Sequence, residues 1–77
     1  MKIKSDKELL IELRNKIGGR IVEEEANLSY WRIILRKTKK NSADMLETLK
    51  KIEGNEDSIK KDNVFLKCID LMIRKEK

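Results

Sequence analysis

The chain has 77 residues, a formal net charge of +5 and a pI near 9.4. Charged residues make up 43% and aromatics 4%; there is one cysteine and no histidine. That composition excludes an ordinary zinc site, a Ser-His or Cys-His nucleophilic pair and an internal disulfide.

A chain this short buries only ~60% of its unfolded surface, so its core is thin unless a partner, most simply a second copy, completes it. Proline is absent, and Lys, Glu, Ile and Leu dominate. This is the composition of long helices and coiled coils. The expected fold is all-α: an antiparallel helical hairpin or small bundle with coiled-coil character, one domain over residues 1–77, completed by homodimerisation.

The residues from Met1 to Lys7 lack the apolar core of a signal peptide. No apolar run approaches the ~20 residues of a membrane span, so the expected location is the cytoplasm. Both ends are expected to fray.

Ser5-Asp6-Lys7-Glu8 has capping-box form and predicts a helix start. Leu9, Leu10, Leu13 and Ile17 follow as its apolar positions. Gly18-Gly19 either ends that helix or lies within it where packing is close, at a cost of ~2 kcal/mol for the pair.

Arg20 to Lys40 is the clearest helix. Ile21, Leu28, Trp31 and Leu35 recur at three-, four- and seven-residue intervals and form one apolar seam. That seam, with Trp31, is the expected core or dimer interface. Tyr30 points away from it, as a stacking surface or a contact to the last helix.

Asn41-Ser42 offers an N-cap for a short helix with Met45, Leu46, Leu49 and Ile52, or else the long helix continues to Gly54. Gly54-Asn55 is the strongest break signal. A last helix is predicted from about Ser58 to Arg74, with Ile59, Phe65, Leu66, Ile69, Met72 and Ile73 inward. Cys68, among Leu66, Ile69 and Met72, reads as a buried small apolar residue. Met45 and Met72 read as gap-fillers in the core.

Two features of the central helix suggest binding. Arg32, Arg36, Lys37, Lys39 and Lys40 place five cations within nine residues with no acid among them. Such a cluster is either a solvated face or an anion site, since the Arg fork suits phosphate and guanine. Glu25, Ser29, Arg32, Arg36 and Lys40, spaced by four, three, four and four, lie on one helix face beside the seam.

The run Glu24-Glu25-Ala26-Asn27-Leu28-Ser29-Tyr30-Trp31-Arg32-Ile33-Ile34-Leu35 resembles the signature helix of the RsiG anti-sigma factor family. That family carries Glu-x3-Ser-x2-Arg-x3-Gln-x3-Asp on an antiparallel coiled coil and binds cyclic di-GMP. Glu25, Ser29 and Arg32 match its first three positions. Arg36 stands where the family has Gln, and Lys40 where it has Asp. Lys40 cannot accept a hydrogen bond from a guanine edge as Asp does, while the added cations suit a phosphate-rich ligand. The resemblance implies a small regulator that binds a cyclic dinucleotide and passes the signal to a sigma factor or similar protein, or that sequesters the messenger. One copy of the motif implies two chains per complete site.

The same region, Ile21-Val22-Glu23-Glu24-Glu25-Ala26 with the aromatic pair beyond it, also resembles four-helix-bundle proteins encoded within ribosomal RNA intervening sequences. The alternative function is a basic helical adaptor for nucleic acid or an acidic protein, with no small-molecule site. A purely structural coiled coil ranks third and an enzyme last. No cofactor, metal or membrane is expected.

Overall fold

The computed structural model describes residues 3–76. Met1, Lys2 and Lys77, on which the expected fraying in part falls, lie outside them. Two long helices pack against each other: α1, Asp6–Lys37, and α2, Ala43–Lys75. The result is an antiparallel hairpin shaped like a rod, 56 × 24 × 14 Å. No described segment is a strand.

The ends of the helices follow local chemistry. Ser5 caps α1, its hydroxyl accepting from the Glu8 amide at 3.2 Å. Ser42 caps α2 in the same way, accepting from the Met45 amide at 3.2 Å. Each hydroxyl satisfies an amide that has no partner within its helix. The Ser42 hydroxyl also donates to the Lys39 carbonyl at 2.7 Å, which ties the turn together. Asn41 takes the left-handed conformation, φ 62°, a region that Asn tolerates better than most residues. Basic residues Arg36 and Lys37 close α1, and Arg74 and Lys75 close α2, where the helix dipole favours them.

Neither glycine signal breaks a helix. Gly18-Gly19 lies inside α1, and Gly54-Asn55 lies inside α2, so the predicted short and last helices are one. The reason is the seam. On α1 and its C-cap the buried or half-buried positions include Ile17, Ile21, Glu24, Leu28, Trp31, Leu35 and the cap residue Thr38. On α2 they include Met45, Thr48, Ile52, Asn55, Ile59, Asp62, Leu66, Ile69 and Ile73. Along these sets the spacing alternates between three and four without a skip. That is the ~3.5-residue repeat of a coiled coil. Asn55 belongs to it, so the packing holds α2 helical through Gly54. A glycine there costs ~1 kcal/mol in propensity, and the seam on either side outweighs it.

No glycine has positive φ, and a Cβ added at Gly18, Gly19 or Gly54 meets nothing within 4 Å. Gly54→Ala is therefore expected to stabilise the hairpin by ~0.5–1 kcal/mol. A rise in the thermal midpoint checks this; a fall would mean that Gly54 serves a contact outside the hairpin.

The tightest core lies in the half nearer the chain ends. Ile17, Ile21 and Ile69 form it, with Leu10, Leu66 and Ile73 packed around them. Leu28 and Ile52 are buried further along.

Several expectations are corrected here. The Ile21, Leu28, Trp31, Leu35 seam packs on α2 of the same chain, so it is not available as an interface between chains. Cys68 is exposed. Phe65 and Met72 are 49% and 52% exposed, not inward. They sit one step off the three-four repeat that buries Asp62, Leu66, Ile69 and Ile73. Leu46 and Leu49 are exposed for the same reason. Tyr30 is exposed and meets Trp31 edge-on, with ring centroids 5.1 Å apart. The other side of the Trp31 environment is the Lys51 ammonium, 4.2 Å from the ring centroid, a cation–π contact between the helices.

Candidate functional site

The outer face of α1 near the turn holds most of the polar stripe. Glu25, Ser29, Arg32 and Arg36 are all on α1 and all exposed. Ser29, Arg32 and Arg36 border one open concavity of about 500 Å³, to which Ile33 and Leu35 add apolar surface. Two guanidinium groups one helical turn apart therefore share the concavity with a hydroxyl and a small apolar floor. Such a surface can grip an anion with paired N–H donors while a flat group rests on the aliphatic side chains.

Glu25 lies one turn towards the N-terminus on the same stripe and does not border the concavity. Lys40 is off the helix. α1 ends at Lys37, where Thr38 turns to extended backbone and its amide donates to the Leu35 carbonyl at 3.2 Å; its hydroxyl donates to the Ile34 carbonyl at 2.6 Å. The fourfold spacing from Arg36 to Lys40 thus no longer places Lys40 on the helix face; it sits in the turn, exposed. The Arg32 guanidinium comes within 3.9 Å of Glu56 on α2, a long, solvent-exposed pairing. It orients the side chain with little energy, typically ~0–1 kcal/mol, and is easily exchanged for a better anion.

A second polar cluster lies within the interface itself. Arg20 grips Asp62 with both prongs, Nε to Oδ2 at 2.9 Å and Nη2 to Oδ1 at 2.6 Å. Asp62 is only 8% exposed. The bidentate Arg20 bonds hold its carboxyl below the usual carboxylate range, against the opposing effect of burial. Glu24 faces the same pair from the seam of α1, and its Oε2 is buried with no hydrogen-bond partner. Burial raises the Glu24 carboxyl above its ordinary value, and the neighbouring Asp62 charge adds to the rise while Arg20 opposes it. A protonated Glu24 becomes a donor and can share its proton with Asp62.

Sequence reasoning placed Glu24 within the signature run without a role of its own and passed over Asp62. The signal was present: Glu24 falls between Ile21 and Leu28, and Asp62 between Ile59 and Leu66, each at a seam position. A second inter-helix bridge, Arg14 Nε to Asp70 Oδ1 at 2.8 Å, is more exposed and fixes the same register nearer the chain ends.

Among the described residues no group of three or more His, Cys, Asp or Glu side chains is placed to hold a metal ion. No described helix is long and apolar enough to cross a membrane. The architecture and this surface define a two-helix antiparallel hairpin with coiled-coil packing and a basic outer face. No protein-family model, curated protein or solved structure matches the chain.

Proposed function

We propose that the chain is a non-enzymatic cytoplasmic regulator that binds an anionic guanine nucleotide, of the cyclic di-GMP class, on the outer face of α1. One observation supports it above others: Ser29, Arg32 and Arg36 converge on a single concavity with an apolar floor. In this reading Arg32 and Arg36 address phosphates or guanine edges through their bidentate forks. Ser29 donates to a phosphate oxygen. Glu25 accepts from a guanine donor edge or orients an arginine, and Lys40 adds positive charge from the turn. The output is a protein partner, a sigma factor or similar, bound or released with the ligand; a sponge that only sequesters the messenger needs no such partner.

Isothermal titration with cyclic di-GMP tests the reading. Arg32→Lys keeps the charge and removes the fork, so binding should weaken by ~1–3 kcal/mol. No heat and no thermal shift with any guanine nucleotide would defeat the proposal. The tip of the hairpin favours one rival: Arg36, Lys37, Lys39 and Lys40 are all exposed around the turn. If Arg32→Lys binds unchanged and moderate salt abolishes binding, the surface is a diffuse cationic one, suited to nucleic acid or an acidic protein.

A further inference from the structure

The hairpin exposes more surface than a chain of its size should. Its accessible area is 6611 Å². A compact monomer of 9.1 kDa exposes about 4,900 Å², leaving an excess of about 1,700 Å². A standard protein interface covers about 800 Å² on each partner, so half of that excess suffices for a stable dimer. Among the described residues no side chain is completely enclosed, and large apolar residues remain open to solvent.

Four of them, Leu9, Leu13, Phe65 and Met72, lie on one flank in the half nearer the chain ends. Leu9, Leu13 and Met72 line a groove that spans both helices, with Asp6 and Glu76 at its outer end. Two turns from Met72 along α2, Phe65 stands 49% exposed beside a second hollow that includes Cys68 and is edged by Lys60 and Lys61. The flank therefore carries a projecting ring, an apolar groove, an acidic end and a basic end. Cys68 lies midway between Phe65 and Met72.

We infer that this flank is the contact surface for a second copy of the chain, in which Phe65 of each copy fills the Leu9/Leu13/Met72 groove of the other. A two-fold axis level with Cys68, lying across the rod, brings both insertions about at once. It runs the two hairpins antiparallel and sets the acidic end of one patch over the basic end of the other. One self-complementary patch used twice is the commonest form of soluble oligomer. The sequence-based expectation of a dimer returns here on a different face, because α2 covers the seam first assigned to it.

The inference does not rest on the nucleotide reading. Ser29 is sixteen residues beyond Leu13 and about 160° round α1 at ~100° per residue, so the dimer leaves the basic face open. Loss of ligand binding and loss of dimer are separate results.

Sedimentation equilibrium of the full chain at tens of micromolar is expected to give the mass of two chains. The thermal midpoint should then rise with protein concentration. Phe65→Glu should reduce the mass to one chain, and Val22→Glu, on the opposite flank and 66% exposed, should leave it at two. Mild oxidation with diamide should link the two Cys68 thiols into a covalent dimer. A one-chain mass for the unaltered protein with a concentration-independent midpoint overturns the inference. So does a Phe65→Glu variant that still sediments as two chains, and a two-chain protein whose Cys68 residues fail to cross-link overturns the placement of the axis.

Discussion

Ile69→Ala is expected to lower the stability of the hairpin by ~2–5 kcal/mol, the range for removing a buried branched side chain. Ile69 is the least exposed core residue at 2%, and it packs with Ile17 at 3% and Ile21 at 9%. Two helices have only one seam between them, so no second layer can move in to refill the space. A domain of this length holds roughly 4–12 kcal/mol in all, at ~0.05–0.15 kcal/mol per residue. The loss is thus a large part of the total. The thermal midpoint, followed by far-ultraviolet circular dichroism, should drop by at least about 8 °C, since 1 kcal/mol moves it by ~4–8 °C at this size. Leu46→Ala, at a position 61% exposed on α2, serves as the comparison and should stay within ~0.5 kcal/mol. Equal shifts for the two variants would mean that the core is not centred on Ile69.

The parts of the fold that depend on local chemistry were legible in the sequence. Ser5 and Ser42 announce their helices because a hydroxyl before a helical run has one main use. Ile21, Leu28, Trp31 and Leu35 reveal their face because all are apolar. On α2 the same method failed for a physical reason. Thr48, Asn55 and Asp62 are seam residues that do not look like core, while Phe65, Cys68 and Met72 look like core and face outward. Taking every apolar residue as inward shifts the assigned face by one step and turns Gly54-Asn55 into a break. The strict three-four alternation, read without regard to polarity, recovers the seam over the whole of α2. On the basic face the sequence placed Glu25, Ser29, Arg32 and Arg36 together. It extended the stripe to Lys40 only because the Thr38 cap, made by a backbone amide turning to the Leu35 carbonyl, leaves no strong signal by residue type.

The Arg20, Glu24, Asp62 layer should make the stability of the hairpin depend on pH in a direction opposite to the usual one. Asp62 has a lowered pKa in the folded chain, so its contribution is present above its ordinary value of 3.8 and disappears as pH falls through the lowered one. Glu24 has a raised pKa, so its contribution is full below its ordinary value of 4.5 and disappears as pH rises through the raised one. The layer is therefore strongest around pH 4, where Asp62 is charged and Glu24 carries the proton they share. Towards neutrality Glu24 ionises beside Asp62, and Arg20 alone must balance two carboxylates. The chain as a whole gains positive charge in acid, which favours unfolding through self-repulsion, so the raw midpoint mixes both effects. The difference between the native chain and Glu24→Gln isolates the layer, because Gln keeps a donor at every pH and changes little else. As pH rises from about 4.5 to neutrality, taking the ordinary Glu range as the start, the midpoint of Glu24→Gln should gain steadily on that of the native chain and stand above it at pH 7. Asp62→Asn supplies the control. It removes the charge that helps to raise Glu24 and frees Arg20, so it should lower the midpoint at pH 7 and shrink the gain from adding Glu24→Gln. If the native chain and Glu24→Gln keep a constant difference across this range, Glu24 does not titrate inside the interface and the shared proton is absent.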